Sequence, residues 1–188
     1  MSTPDPTDLA ARVFARSHLT GRFTLRSGAV STEYFDKYRF EADPELLAEI
    51  AAAMAPLVPP GTEALAGLEL GGVPLAVALS RETGLPARFV RKEPKTYGTA
   101  QLAEGGEIAG LRLLVVEDVV TSGGQVIASC QDLRERGAIV EHVLCVIDRE
   151  AGGAERLAAH GLALTALFTM SQLHAAAAAV GVGGASSD

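Results

Sequence analysis

The chain has 188 residues, 48% of them hydrophobic, with 23 acidic against 16 basic side chains and a formal charge of −7. That length suits one compact domain, and that apolar share suffices for a substantial core. The acidic balance argues against duplex DNA or an anionic membrane surface as partner, so no nucleic acid and no membrane is expected. Residues 7–19 space Leu9, Val13 and Phe14 along one helical face. Short strands are predicted at 23–28 and 31–40, around a turn at Gly28. Asp43 as cap and Pro44 in the first turn announce a helix running to 58, stopped by Pro59, Pro60 and Gly61.

From residue 64 a rhythm begins. A buried strand at 64–70 leads through Gly71 and Gly72 into a helix at 73–84, and 87–92 reads as the next strand. A polar, glycine-containing stretch spans 93–110. A strand at 111–116, a loop and a helix at 124–137 follow, then a strand at 139–148, a helix at 152–161 and a last strand at 163–168. Such alternation implies an α/β fold with a mostly parallel sheet covered on both faces. The core is assigned to 41–174, with 1–40 as a small cap and the low-complexity residues 175–188 as a loose tail.

Residues 161–187 carry no Asp, Glu, Lys or Arg, but hydroxyls, amides and glycines interrupt them. No run of about 20 strongly apolar residues results, so a membrane span is not expected. The first eight residues hold Asp5 and Asp8 and no basic start, unlike a signal peptide. Cys130 and Cys145 lie in apolar stretches and read as reduced core thiols of a cytoplasmic protein.

Ligands of open parallel sheets sit beyond the carboxyl ends of the strands. The loops worth reading are therefore 71–72, 91–98, 117–124 and 148–153. The richest stretch is LLVVEDVVTSGG, 113–124: an apolar strand, two acids, then Thr121, Ser122, Gly123 and Gly124 before a helix. It matches neither a Walker loop nor a dinucleotide fingerprint. Free amides at a helix start carry roughly half a positive charge and suit phosphate. Glu117 and Asp118 would repel that phosphate, so they suit neutral hydroxyls or a metal ion instead. A ligand with a phosphate on one side and a diol on the other is a ribose 5-phosphate. The plainer reading is a polar strand-to-helix turn.

VVEDVVTSGG resembles the phosphoribosyl pyrophosphate (PRPP) motif of the type I phosphoribosyltransferases. Three further stretches resemble the orotate phosphoribosyltransferases: FTLRSGAVSTEYFD at 23–36 their amino-terminal segment, VRKEPKTYG at 90–98 their mobile catalytic loop, and IDREAGG at 147–153 the segment after the next strand. The resemblance covers about 10–170 and implies the type I fold with an amino-terminal hood. It implies transfer of the 5-phosphoribosyl group of PRPP to orotate, giving orotidine 5′-monophosphate and pyrophosphate in pyrimidine biosynthesis. It also implies Mg²⁺ held mainly by PRPP and water rather than by protein ligands, and a homodimer whose 91–98 loop reaches the neighbouring site.

By the same resemblance Arg91, Lys92 and Lys95 are catalytic, Lys95 foremost, although a charge cluster is ordinarily a solvated turn. Glu117, Asp118, Thr121, Ser122, Gly123 and Gly124, with Gly71 and Gly72, would bind PRPP; the Gly71–Gly72 pair reads equally as a tight turn. Arg26, Tyr34, Phe35, Arg149 and Thr121 would meet orotate. For Arg149 the alternative is a surface ion pair with Asp148 or Glu150, worth little; for the cap residues it is packing. Three departures stand out. Arg26 replaces a usual Lys, which keeps charge but alters shape. Tyr97 replaces a usual His and cannot titrate near neutrality. Leu-Gly-Gly stands at 70–72 where many relatives carry a Lys. The competing functions are transfer to another base and a non-catalytic PRPP-sensing regulator.

Overall fold

The computed structural model describes residues 5–24, 28, 30–92 and 102–181, and the backbone of 185–186. Helix α1 (Pro6–Ser17) is capped by the Asp5 carboxylate, which accepts from the Thr7 amide at 2.9 Å. It ends two residues before the expected 19, because His18 is extended and opens β1 (His18–Thr24). Strand β2 (Val30–Phe35) pairs antiparallel with β1, and β9 (Ala185–Ser186) adds in parallel on the other edge of β1. The strand expected to reach 40 stops at Phe35. Asp36 accepts from the Tyr38 amide at 3.2 Å and starts a single helical turn, α2 (Tyr38–Glu41), that carries Phe40 into the core.

Asp43 caps α3 (Pro44–Met54) as expected, accepting from the Leu46 amide at 3.2 Å. The main sheet then builds through β3 (Ala64–Leu68), α4 (Gly72–Thr83), β4 (Ala87–Val90), β5 (Ala103–Glu104), β6 (Arg112–Val120), α5 (Gly124–Glu135), β7 (Ile139–Asp148), α6 (Gly153–Ala158) and β8 (Ala163–Thr169). Its order is β5-β4-β3-β6-β7-β8, parallel throughout except for β5. From β3 the chain crosses outward to β4; from β6 it crosses the opposite way to β7. The order therefore reverses between β3 and β6, and a crevice opens beyond their carboxyl ends.

Each face of the sheet buries its own core. One gathers Leu9, Val13 and Phe14 of α1 with Phe40, Ile50, Leu75 and Leu114; the other gathers Val115, Ile127, Leu133 and Leu157. Helix α1 thus shares the main core, and Arg12 clamps it to α3 by donating to both Glu49 oxygens at 2.6 and 2.8 Å. The closing helix α7 (Met170–Ala179) starts with a capping box between Thr169 and Gln172 and buries Leu173, Ala176 and Ala177. The loose tail expected from 175 is corrected accordingly: residues 175–179 are helical, because two of their alanine methyls fill space against α1. Among the described residues no helix is long and apolar enough to cross a membrane, and both cysteines are free and buried.

Candidate active site

Strand β6 does not stop at Val116, where the apolar run ends. It continues because Val119 and Val120 pair with Ile147 and Asp148 of β7, so Glu117 and Asp118 lie inside the strand and not in a loop. Adjacent strand residues project to opposite faces. Here the two carboxyls nevertheless interact, and the charge of Asp118 and hydrogen bonding to it both bear on Glu117. Glu117 remains partly exposed, whereas Asp118 is fully enclosed at 0% exposure.

Asp118 turns towards α4 and the hood. Its Oδ1 accepts from the Val119 amide at 2.5 Å, and its Oδ2 lies 2.6 Å from the ammonium of Lys37. Glu41, also buried, joins the group from α2. Burial, then hydrogen bonding to Asp118, pushes the Glu41 carboxyl up to about 9. Burial and the Asp118 charge likewise push Glu117 well above the usual carboxylate range. Burial works against the Lys37 charge, but Asp118 and Glu117 outweigh it and hold the ammonium above its ordinary range. Three carboxyls and one lysine thus carry far less net negative charge than their formulae suggest. Such a site can admit a polyanion beside its acids.

This cluster has a measurable pH signature. Folded Glu41 keeps a proton between its ordinary 4.5 and about 9 that the unfolded chain releases. The folded state binds more protons in that window, so stability falls as pH rises through it. Glu41→Gln is expected to flatten that fall by about 1 kcal/mol between pH 6 and 8, after allowance for screening and for the remaining Glu117. Urea unfolding of both proteins across this range measures it; parallel curves would contradict the assignment.

Beyond Val120 the chain forms the second half of the motif. Thr121 and Ser122 are exposed, and Gly123 adopts a left-handed φ of 72° that turns the backbone into α5. The amides of α5's first turn consequently face the crevice. Gly153 of α6 packs so tightly beneath this loop that a Cβ there would lie 2.5 Å from the Thr121 carbonyl oxygen. The loop is braced by the next crossover as well as by its own helix.

The matching turn after β3 runs Glu69-Leu70-Gly71-Gly72, with a cis peptide between Glu69 and Leu70. A Cβ on Gly71 would lie 1.6 Å from Asp118 Oδ2 and 2.8 Å from Glu41 Oε1, and one on Gly72 would lie 2.3 Å from the Val116 carbonyl oxygen. Both positions admit glycine alone, because β6 and the acid cluster press against them. Glu69 reaches across to accept from the Lys92 amide at 2.7 Å. Arg91 donates its backbone amide to the Leu102 carbonyl at 2.9 Å and pairs through Nε with Glu104 at 3.4 Å. The base of the segment between β4 and β5 is therefore tied to the β3 turn. Lys95, Tyr97 and Gly98 lie outside the described residues.

On the other side, the Arg149 amide donates to the Val120 carbonyl at 2.9 Å, which brings the segment after β7 alongside Thr121. Glu150, at a left-handed φ of 57°, accepts from the Ser171 amide at 2.9 Å and its hydroxyl at 2.5 Å, pinning that segment to the start of α7. The Arg149 side chain is left exposed rather than engaged with Asp148 or Glu150. In the hood, Tyr34 is exposed with its ring 5.5 Å from that of Phe23, while Phe35 packs partly into the core near Phe14. Arg26 lies outside the described residues. Lys37, Glu41 and Glu69 were not singled out from the sequence. The available signal was scarcity: the chain has only three lysines, and Lys37 is the one outside the 91–98 loop.

The phosphoribosyl transferase domain family matches residues 39–160. An orotate phosphoribosyltransferase of Nocardioides sp. is 52% identical over 168 residues, 89% of this chain and 94% of that protein. That of Halobacterium salinarum is 48% identical over 153 residues, 81% of this chain and 87% of its own. The crystal structure of Mycobacterium tuberculosis H37Rv orotate phosphoribosyltransferase in complex with PRPP is similar at a TM-score of 0.78 and 32% identity, covering 91% of this chain and 99% of that one. These likenesses favour orotate transfer over transfer to another base and over a non-catalytic regulator. A crevice at the reversal of strand order, a PRPP motif on its central strand and relatives matched over nearly their whole length place the chain in one family: it belongs to the orotate phosphoribosyltransferases.

Proposed function

We propose the following division of labour for transfer of the 5-phosphoribosyl group from PRPP to orotate. The observation that carries it is the meeting, at one crevice, of the β6 acids, the start of α5 and the Gly71–Gly72 turn. The amides and hydroxyls of Thr121 to Gly124 take the 5′-phosphate, where backbone donors and the helix dipole favour it. Glu117 takes a ribose hydroxyl. Its Oε2 is buried without a hydrogen-bond partner among the described residues, a cost of about 1–3 kcal/mol that a hydroxyl donor relieves. Asp118 shapes the sugar site from below.

Pyrophosphate lies along the Gly71–Gly72 turn, and Arg91, Lys92 and, foremost, Lys95 of one protomer serve the pyrophosphate of the neighbouring one. As the bond from C1 to the pyrophosphate oxygen breaks and the bond from C1 to the orotate ring nitrogen forms, with the proton of that nitrogen released to solvent, negative charge gathers on the leaving group. Fixed cations there stabilise that transition state more than the ground state. Arg149 and Thr121, with Arg26, Tyr34 and Phe35 of the hood, enclose orotate and oppose its carboxylate charge.

Mg²⁺ enters with PRPP. Among the described residues no group of three or more metal-ligating side chains gathers, and Asp118 is ion-paired with Lys37. The donor set would fit an ion held mainly by ligand oxygens and water. When bound, the ion neutralises charge on the departing pyrophosphate. We further assign the enzyme to the cytoplasm, as a homodimer in which the 91–98 segment completes the neighbouring site. A crystal grown with orotidine 5′-monophosphate tests the assignment. The expected density places phosphate on the amides of 122–124 and a ribose hydroxyl at Glu117; those amides empty with nucleotide bound elsewhere would reject it.

A further inference from the structure

We propose that Lys37, projecting from the hood, is a PRPP-binding cation directed at the pyrophosphate side of the site; this rests on the placement of PRPP in the crevice. The turn Glu69-Leu70-Gly71-Gly72 brings no cation of its own, and the first turn of α4 has none either. A pyrophosphate group seated there needs positive charge close by. Lys37 supplies it from a different part of the chain. Its Nζ is 2.6 Å from Asp118 Oδ2, the same oxygen that a Gly71 Cβ would strike, so the ammonium stands directly beside the turn.

The side chain is 33% exposed although its partner is wholly enclosed. An ammonium has three donors. The nitrogen is ion-paired with Asp118, and the Tyr38 ring lies 5.3 Å from it. Donor capacity remains on the exposed side. The surrounding groups keep this lysine charged and in place: burial opposes the ammonium, but Asp118 and Glu117 outweigh it and hold Lys37 above its ordinary range. A lysine serving only to neutralise Asp118 would need no exposed face. Being rooted in the residue before α2, Lys37 also makes the hood part of the PRPP site and not only of the base site.

The test compares wild type, Lys37→Met and Lys37→Arg by calorimetric titration with PRPP, inorganic pyrophosphate and ribose 5-phosphate, each with Mg²⁺. Thermal unfolding runs alongside. Lys37→Met is expected to weaken PRPP and pyrophosphate by about tenfold to a hundredfold, the scale of one charge-assisted hydrogen bond. Ribose 5-phosphate should change by less than about threefold, well within that scale. Lys37→Arg should recover most of the loss. Equal weakening of all three ligands, or a folded Lys37→Met with unchanged PRPP and pyrophosphate affinity, overturns the role of Lys37 alone. If Lys37→Met does not fold, Lys37→Gln replaces it, and no selective change in folded Lys37→Gln overturns the role. Wild-type protein that binds neither PRPP nor ribose 5-phosphate removes PRPP from the crevice, and the proposal with it.

Discussion

Gly71→Ala is expected to keep its fold and lose at least about a hundredfold in turnover, the scale on which small displacements of reacting groups act. The new Cβ would lie 1.6 Å from Asp118 Oδ2 and 2.8 Å from Glu41 Oε1. Neither atom can yield cheaply. Asp118 is pinned by the Val119 amide and by Lys37, and both carboxyls are enclosed. Either the turn lifts away from β6 or Asp118 swings and carries Lys37 with it. Each outcome moves the sugar site relative to the pyrophosphate site. Overpacking of this kind costs about 1–3 kcal/mol in stability, so the variant should unfold at lower urea yet remain soluble.

Two controls separate position from residue type. Gly84→Ala, at a φ of 75° with open space around it, should cost about 1–2 kcal/mol from backbone strain alone and leave turnover alone. Gly72→Ala would press on the Val116 carbonyl oxygen at 2.3 Å, which is backbone, and should damage the fold more than Gly71→Ala does. Wild-type turnover in Gly71→Ala would show that this turn does not shape the site.

The architecture was largely legible because its signals are local. Alternation of apolar runs with capped helices announced the parallel sheet, and Asp43 with Pro44 marked α3 correctly. The misreadings came where a long-range contact overrode local pattern. DKYRF reads as an extended aromatic stretch, but a turn at Asp36 lets Phe40 bury, and that one helical turn presents Lys37 and Glu41 to Asp118. The alanine-rich end of α7 looked formless because its partner, α1, lies at the other end of the chain.

Glu117 and Asp118 read as the start of a loop because the apolar run ends at Val116. Only the pairing of Val119 and Val120 with β7 shows that the strand continues past them. The question of how two acids tolerate a neighbouring polyanion has its answer in burial and in Lys37. Neither is visible without coordinates. The Gly71–Gly72 pair was half legible: a turn was evident, but not that Asp118 and the Val116 carbonyl oxygen leave room for glycine alone.

Selectivity for the base carries the second large effect. Orotate is a pyrimidine with a carboxylate, and in the proposed site that charge is opposed by Arg149, which is exposed beside Thr121. A site built to pair a charged group rejects an analogue lacking it, because its own polar groups are then stranded; such discrimination reaches about 10⁴–10⁵. Uracil, which lacks only the carboxylate, should therefore react at least about a thousandfold more slowly than orotate. Adenine, a purine, should not react measurably. Arg149→Ala should narrow the gap between orotate and uracil chiefly by slowing orotate.

The decisive measurement is pyrophosphate release from PRPP and Mg²⁺ in the presence of orotate, uracil or adenine. Release with orotate alone, accompanied by orotidine 5′-monophosphate, is the expected result. Release with adenine but not with orotate would contradict the account at its centre.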